Sequence, residues 1–358
     1  MQAESIHPDQ LESALEARWC QLSSEVPGCD SPFLHPIYAR TLAHHRPRVE
    51  IGLLQERGQV RGFFPFERQR RGTGMPPGNK LCDLQGIVSE PGMEWTLDEL
   101  LRGCRLNSLH WEHVLASTVP GAEFLQGESE ARYLDLSQGY DRYSAARRDS
   151  GSHRLPMLEI KRRKLTRDYE EPRLVWCDTS RAALASVIDW KRAQRRETGT
   201  FDVMQFGWVR DFLAEMQQVR RPGFCGVLNS LYVGDELIAV HLGMYTATAL
   251  SIWFQAYNRQ FARYSPGSIL LIEVAQAAAQ RGIGRIELGS GSESWKQSFA
   301  SAGLPTRTGT WDRRLWRQQA WNAWYWLRQK ARPLLTNPTV SVPKRMLRSL
   351  QLWSAMRR

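Results

Sequence analysis

The sequence predicts an α/β protein of two halves, built from mixed, mostly antiparallel sheets flanked by helices. Its 358 residues exceed one typical domain and suit two. Strand-like and helical patterns alternate along the chain. The segments VEIGLLQERGQVRGFFPF and VLNSLYVGDELIAVHL each indicate a strand, a charged glycine turn and a second strand. This likeness gives slight evidence for an internal duplication.

We divide the chain into four segments. Residues 1–140 form the N-terminal half, and residues 141–170 form a helical connector rich in arginine and lysine. Residues 171–310 form the C-terminal half, and residues 311–358 form a basic helical tail rich in tryptophan and arginine. The basic cluster at 161–164 is most simply a solvated helix face. The alternative is a lining for an anionic ligand.

The net charge of +11 lies almost wholly in the tail. From Trp311 to Arg358 there are 11 Lys and Arg against one acid, Asp312, which gives +10 there and +1 for the rest of the chain. A nucleic-acid binder carries its basic face on the folded domain. We therefore expect no nucleic-acid partner.

The cysteine spacing and the hydropathy of the sequence further limit the classes of protein to which the chain can belong. The six cysteines form no C-x-x-C pair, so we expect reduced thiols, no metal and no disulfide framework. No apolar run approaches the ~20 residues that span a bilayer. The first residues include acids and no apolar core of a signal peptide. These patterns predict a cytoplasmic protein.

One helix start in the second half is suited to a phosphate. In ARYSPGSILLIEVAQAAAQRGIGRIELG, Ser265 is a good N-cap and Pro266 a good first residue for a helix reaching about Arg281. The free amides and the positive dipole end of such a helix favour a phosphate. Arg263 stands beside it, and Gly267 permits a close backbone approach. A coenzyme A diphosphate would fit, although many helices with this start bind no ligand.

Two strands of a predicted meander, 237–245 and 249–257, each alternate between an apolar and a more polar face. The polar face carries His241 on one strand and Trp253 and Tyr257 on the other. It could be the wall of a cleft in which an acceptor amine meets a thioester. An antiparallel sheet with one partly wet face explains the pattern equally well.

Charged residues follow the last strand of this half, where α/β folds usually place ligands. Glu287 and Glu293 are candidates to accept a proton, and Lys296 is a candidate to hold an anion. Alternatively, Glu287 and Lys296 form a structural pair.

The order of these motifs resembles the C-terminal half of the CelD-like N-acyltransferases of cellulose and exopolysaccharide synthesis, relatives of the FemAB transferases. The matching residues are Ala239, His241, Gly243, Trp253, Ala256, Tyr257, Tyr264, Ser265, Pro266, Gly267, Gly289, Gly291, Glu293 and Lys296. Two positions depart from the family pattern: Glu287 replaces an aspartate, and Trp295 replaces a tyrosine, which removes a phenolic hydroxyl. The resemblance covers roughly residues 30–310, and it is looser in the first half.

The resemblance implies tandem GNAT-like folds, an acyl-CoA as cosubstrate, and an amine acceptor such as an amino sugar. It favours His241 or Glu293 as the base, with Lys296 as a further catalytic candidate. The candidates for binding the coenzyme are Arg263, Tyr264, Ser265, Gly267 and Ser268. The candidates for binding the substrate are Asp83, Trp253, Tyr257 and Glu287. Two other functions stay open: a FemAB-like transfer of aminoacyl groups from tRNA, and an inactive GNAT-fold subunit of a polysaccharide synthase.

The tail combines tryptophan with arginine, as helices at anionic membrane interfaces do. Residues 311–358 hold six of the 14 tryptophans. In the first tail helix the tryptophans spread around the circumference, so we expect them to pack on the catalytic body. For Lys344–Arg358 we expect loose peripheral docking on the inner membrane or on a complex.

Overall fold

A computed structural model of the chain describes residues 1–122, 125–289, 291, 294–331 and 356. Its strands are β1 (Gln2–Ile6), β2 (Val49–Glu56), β3 (Gln59–Gln69), β4 (Thr73–Met75), β5 (Val88–Ser89), β6 (Ser108–Leu115), β7 (Gly127–Asp135), β8 (Arg173–Val175), β9 (Arg220–Arg221), β10 (Phe224–Val233), β11 (Glu236–Thr246), β12 (Ala249–Tyr257), β13 (Arg285–Glu287) and β14 (Ala302–Asp312). Its helices are α1 (Ser13–Glu25), α2 (Pro36–Ala43), α3 (Leu97–Gly103), α4 (Gly139–Asp149), α5 (Arg154–Asp168), α6 (Arg181–Thr198), α7 (Gly207–Gln218), α8 (Pro266–Gln280), α9 (Ser294–Phe299) and α10 (Leu315–Ala331).

The chain folds into two compact units, neither of which is continuous in sequence. Unit 1 comprises Met1–Cys29, Pro36–Ser129 and Pro305–Arg358. Unit 2 comprises Asp30–His35 and Glu130–Leu304. A short segment near the N-terminus therefore belongs to the second unit, which no local sequence pattern indicates.

Unit 1 contains the strand order β1-β2-β3-β4-β6-β14, with β5 paired to β3. All these pairs are antiparallel except β4 with β6. The β2–β3 hairpin has the predicted charged glycine turn, in which Arg57 and Gly58 both have positive φ, 52° and 78°. Two such residues match the twist of a two-residue hairpin. The core beside it includes Phe64, Phe66 and Trp111.

Unit 2 contains the strand order β7-β13-β12-β11-β10-β8, with β9 paired to β10. Strands β10, β11 and β12 form the predicted antiparallel meander. Strands β12 and β13 are parallel and are joined through α8. Such a parallel connection requires a crossover, which the apolar α8 provides. The predicted class of mixed, mostly antiparallel sheets flanked by helices is confirmed.

A β-bulge interrupts the meander. Leu242 of β11 pairs with Phe254 of β12, but the next residue, Gly243, pairs with Ile252. Trp253 is therefore the extra residue on β12, and the alternation of side chains inverts across it.

Because of the bulge, part of the predicted polar face of the meander is wrong. Ser251 pairs with Met244, so it lies on the face opposite to that of His241. Leu250 and Ile252 take its place beside His241. They belong to the same buried apolar cluster as residues of α8, so this stretch of the face is a covered core surface.

The first helix of the tail, α10, exposes its tryptophan side chains, contrary to the prediction. Four tryptophans of α10 are 41–66% exposed, so the expectation that they pack on the body is wrong. Nearly all of the segment Lys344–Arg358 lies outside the described residues. In the described part of the chain, no helix is both long enough and apolar enough to cross a bilayer.

Candidate functional site

The start of α8 has an unusual backbone. Ser265 occupies the N-cap position with φ 57° and ψ 53°, in the left-handed region, and its side chain makes no capping hydrogen bond. The predicted side-chain cap is therefore wrong, because a capping residue normally has extended φ and ψ. The Ser265 carbonyl instead accepts the backbone N–H groups of Ser268 and Ile269 at 2.9 and 3.1 Å. Its hydroxyl is left for a different partner.

Two cations from α5 reach the hydroxyl groups at this helix start. Lys161 Nζ donates to Ser265 Oγ at 2.7 Å, and Arg154 donates to Ser268 Oγ at 3.1 Å. The N-terminal end of a helix already carries a partial positive charge. Cations placed there repel that charge unless an anion joins them. The arrangement therefore favours an anion at this helix start.

The sequence analysis does not single out Arg154. It places Lys161 in a cluster that it interprets first as a solvated helix face and, as the alternative, as a lining for an anionic ligand. A signal was available, because Arg154, Leu158, Lys161 and Leu165 follow i, i+4, i+7, i+11 spacing on one helix face. The two leucines are buried, whereas Arg163 and Lys164 are exposed. The buried leucines turn this face, with its two cations, towards the body of unit 2.

The candidates just before α8 have different surroundings. The Arg263 side chain is 61% exposed and lies 3.8 Å from a carboxylate oxygen of Asp168. Its guanidinium also stacks over the Tyr264 ring at 4.6 Å. Tyr264 is buried and donates to Asp168 at 2.7 Å. Arg263 is thus accessible to a ligand, while Tyr264 anchors the loop.

The C-terminal end of β12 lies against the first turn of α8. A Cβ added to Gly267 would lie 3.4 Å from the Tyr257 ring and 3.7 Å from the Gln255 amide. Gln255 Nε2 donates to the Gly267 carbonyl. Tyr257 is 41% exposed. The structure therefore places the Tyr257 ring against Gly267 in the first turn of α8.

Strands β12 and β13 stop pairing in front of this helix start. The last residues that pair between them are Ser251 of β12 and Glu287 of β13. Strand β13 ends at Glu287, whereas β12 continues to Tyr257. The carboxyl ends of parallel strands at such a point commonly line a ligand crevice. Glu287 stands at the end of the shorter strand.

Glu287 lies in a buried network of charges. Its carboxylate accepts a hydrogen bond from Ser31 Oγ at 2.8 Å and one from Arg285 at 3.0 Å. Arg285 also binds Asp30 at 2.7 Å. Burial raises the pKa of Glu287, although Arg285 and Ser31 oppose the shift. A carboxyl group with a raised pKa suits proton transfer near neutral pH.

His241 is enclosed within the sheet at 1% exposure. Cys177 N–H donates to Asn229 Oδ1 at 3.2 Å, which directs the Asn229 amide nitrogen towards His241 Nδ1, also at 3.2 Å. His241 Nε2 then faces the Ser251 carbonyl at 3.4 Å. Burial lowers the pKa of His241 to about 4. The structure gives this ring an internal hydrogen-bonding role, and its assignment as the base stays a prediction.

The other candidates are dispersed. Glu293 lies outside the described residues. Lys296 is buried on α9, with its ammonium 5.7 Å from the centre of the Trp295 ring. Trp253 is 7% exposed and makes edge contacts with Phe33 and Phe212, so it forms part of a core. Asp83 is half-buried in unit 1. Their catalytic and binding roles stay predictions.

The geometry of unit 2 agrees with a recognised domain. Residues 152–297 match the model of the acetyltransferase (GNAT) domain. The protein is an acyltransferase. The matched residues contain α5, the meander, α8 and β13, and so include the start of α8 with the two cations that reach it.

Solved structures support the fold. The chain aligns with the C-terminal domain (DUF2156) of an Agrobacterium fabrum protein named as a lysylphosphatidylglycerol synthetase, over 85% of this chain and 93% of that one, with 14% identity and a TM-score of 0.52. FemX aligns over 87% and 97%, with 10% identity and a TM-score of 0.56. A tandem GNAT protein from the clavulanic acid pathway aligns over 87% and 98%, with 9% identity and a TM-score of 0.44. A search of curated proteins finds no match.

The domain match over residues 152–297 confirms the predicted GNAT-type fold class, and the two structures with TM-scores of 0.52 and 0.56 share the fold. At such low identities they say nothing about the substrate. Within the described residues, no group of three or more His, Cys, Asp or Glu side chains is arranged to hold a metal ion.

Proposed function

We propose that this acyltransferase uses an acyl-CoA and transfers its acyl group to an amine, in the synthesis of cellulose or another exopolysaccharide. The observation that carries the proposal is the cationic cradle at the start of α8, defined by Arg154, Lys161, Ser265 and Ser268. In this proposal the cradle and the exposed Arg263 hold the coenzyme diphosphate. In the first turn Pro266 has no N–H, and the amides of Ser268 and Ile269 are bonded to the Ser265 carbonyl. In this proposal the backbone therefore contributes the Gly267 N–H to the binding of the phosphates.

When bound, the acyl-CoA supplies a thioester carbonyl that an amine can attack directly. We assign Glu287 to the acceptor side, where its carboxylate binds the ammonium form and accepts one of its protons. The free amine then attacks the thioester carbon, a C–N bond forms as the C–S bond breaks, and the coenzyme A thiolate leaves with the second proton of the amine. Ser31 and Arg285 position this carboxylate, and burial keeps its pKa raised. Of the two bases that the resemblance favours, His241 is enclosed in the sheet and burial lowers its pKa to about 4, so we prefer Glu287 to it. Glu293 stays an alternative base.

The cradle is tested by titrating acetyl-CoA and longer acyl-CoAs into the protein in a calorimeter. A hydrogen bond to a charged group is worth about 1.5–3 kcal/mol, so Lys161→Gln should weaken binding roughly tenfold or more. Lys164→Gln is the matched control, since Lys164 is exposed on the same helix. Equal affinities for the two variants would contradict the cradle.

Glu287 is tested by the pH dependence of turnover with an amine acceptor. Glu287→Gln should lower kcat by about 100-fold or more, as loss of a general base does. Because the carboxylate must be ionised to act, activity of the unmodified protein should fall as the pH drops through its raised pKa. Glu159→Gln, at an exposed glutamate of the same unit, serves as control. An unchanged profile in Glu287→Gln would refute the assignment.

The two alternatives make different predictions. A FemAB-like transferase requires aminoacyl-tRNA, and the near-neutral charge of residues 1–310 disfavours a tRNA surface. An accessory subunit could bind acyl-CoA without turning it over. Assays with amino-sugar acceptors, with either acetyl-CoA or aminoacyl-tRNA as donor, separate the three functions.

A further inference from the structure

Two amide side chains on one side of the helix α10 attach it to the rest of unit 1. Gln318 accepts a hydrogen bond from the Asp312 amide at 2.7 Å and donates to the Thr310 carbonyl at 3.2 Å. Asn322, one turn further along, accepts from Gln126 at 2.8 Å. These bonds fix the amide-bearing side of α10 to β14 and to the segment before β7.

The large apolar side chains of α10 point outward. The exposed residues are Leu315 (79%), Trp316 (66%), Trp321 (41%), Trp324 (49%), Trp326 (56%) and Leu327 (58%). At about 100° per residue they occupy an arc of roughly 240°, and Gln318 and Asn322 lie in the remaining sector. A helix of a globular protein normally does the reverse and buries its apolar stripe. The polar residues Arg317 and Gln319 lie in the same arc, between the apolar side chains. Six exposed large apolar side chains on one helix are nevertheless typical of an interaction surface.

The charge of this region indicates what covers the surface. The α10 sequence contains the cations Arg317, Arg328 and Lys330 and no acid. The guanidinium of Arg317 lies 5.0 Å from the centre of the Trp316 ring, so charge and aromatic surface are presented together. Tryptophan rings favour the headgroup level of a bilayer, and arginine and lysine are attracted to anionic lipids. Residues 332–358 add six Lys and Arg and no acid to the same end of the chain.

We propose that α10 docks the protein on an anionic lipid membrane, with its tryptophan side at the level of the headgroups. The inward amide side keeps the helix attached to unit 1 while the outer side contacts lipid. The helix thus lies along the surface and does not span the bilayer. This inference goes beyond acyl transfer and depends on unit 1 residues alone, so it stands or falls independently of the proposed reaction.

The experiment is flotation of the full chain with vesicles of phosphatidylcholine, with and without phosphatidylglycerol. We expect flotation only with the anionic vesicles. Replacing Trp316 and Trp326 together by serine should weaken binding roughly tenfold or more, because two large apolar side chains lose their lipid contacts. Arg317→Gln should weaken it roughly fivefold at low salt. The matched control is Ile160→Ser, since Ile160 is 65% exposed on α5 of unit 2.

A second measurement on the unmodified protein guards against a variant that fails to fold. Vesicles containing brominated lipid should quench its tryptophan fluorescence when phosphatidylglycerol is present. Three results would overturn the proposal: no flotation or quenching with anionic vesicles, equal binding of the tryptophan variant and the control, or loss of binding only when Lys344, Arg345 and Arg348 are neutralised. A dimer that disappears in the tryptophan variant, with no vesicle binding, would assign the surface to a second copy instead.

Discussion

Acidification should destabilise unit 2 through its buried histidines. Burial lowers the pKa of His241 from 6.5 to about 4. A group whose pKa is lowered by folding stabilises the folded state at pH values above its pKa in the unfolded chain. This stabilisation is lost as the pH falls from about 6.5 towards 4. With these two pKa values, proton linkage lowers the free energy of unfolding by about 2 kcal/mol between pH 8 and pH 5. His35, also buried, has its pKa lowered to about 4 by burial and should contribute in the same direction.

The assay compares free energies of unfolding from urea titrations of the unmodified protein and of His241→Gln, each at pH 8 and pH 5. Glutamine does not titrate, so the other groups that respond to pH cancel in the comparison. Between pH 8 and pH 5 the unmodified protein should lose about 2 kcal/mol more of its free energy of unfolding than the variant does. His35→Gln should show a similar shift. Parallel pH curves for the three proteins would refute the argument that these rings are held neutral by burial.

Three further substitutions test the packing. Gly243→Ala should unfold the protein at markedly lower urea concentration, because the added Cβ would overlap the Ser251 carbonyl at the bulge. Alanine at Gly207, the exposed first residue of α7, should be tolerated. Arg46→Met should cost about 3–5 kcal/mol in urea unfolding, since it leaves the buried Glu67 carboxylate without its ion-pair partner; a loss below 1 kcal/mol would contradict this. Trp19→Ala should cost about 3–5 kcal/mol, because the ring is fully buried, and a near-native midpoint would refute that.

Part of the fold could be predicted because its signals are local. The meander, the apolar crossover helix and the glycine turn of the β2–β3 hairpin each depend on residues within a few positions of one another. Side-chain alternation failed at Trp253, because a bulge is set by pairing between two strands. The segment Asp30–His35 could not be assigned to unit 2, since its partners Glu287 and Arg285 are about 250 residues away in sequence.

The sequence by itself determined the α/β class, the meander and the helix start at Pro266, because periodicity and turn chemistry act over short distances. Tertiary structure decided which charges meet at that helix start. Lys161 and Arg154 reach it only because the buried leucines of α5 turn one helix face inward. Tertiary structure also enclosed His241 and left the tryptophans of α10 outside. Burial and the charge around a group depend on contacts between distant segments, and linear order does not encode these directly.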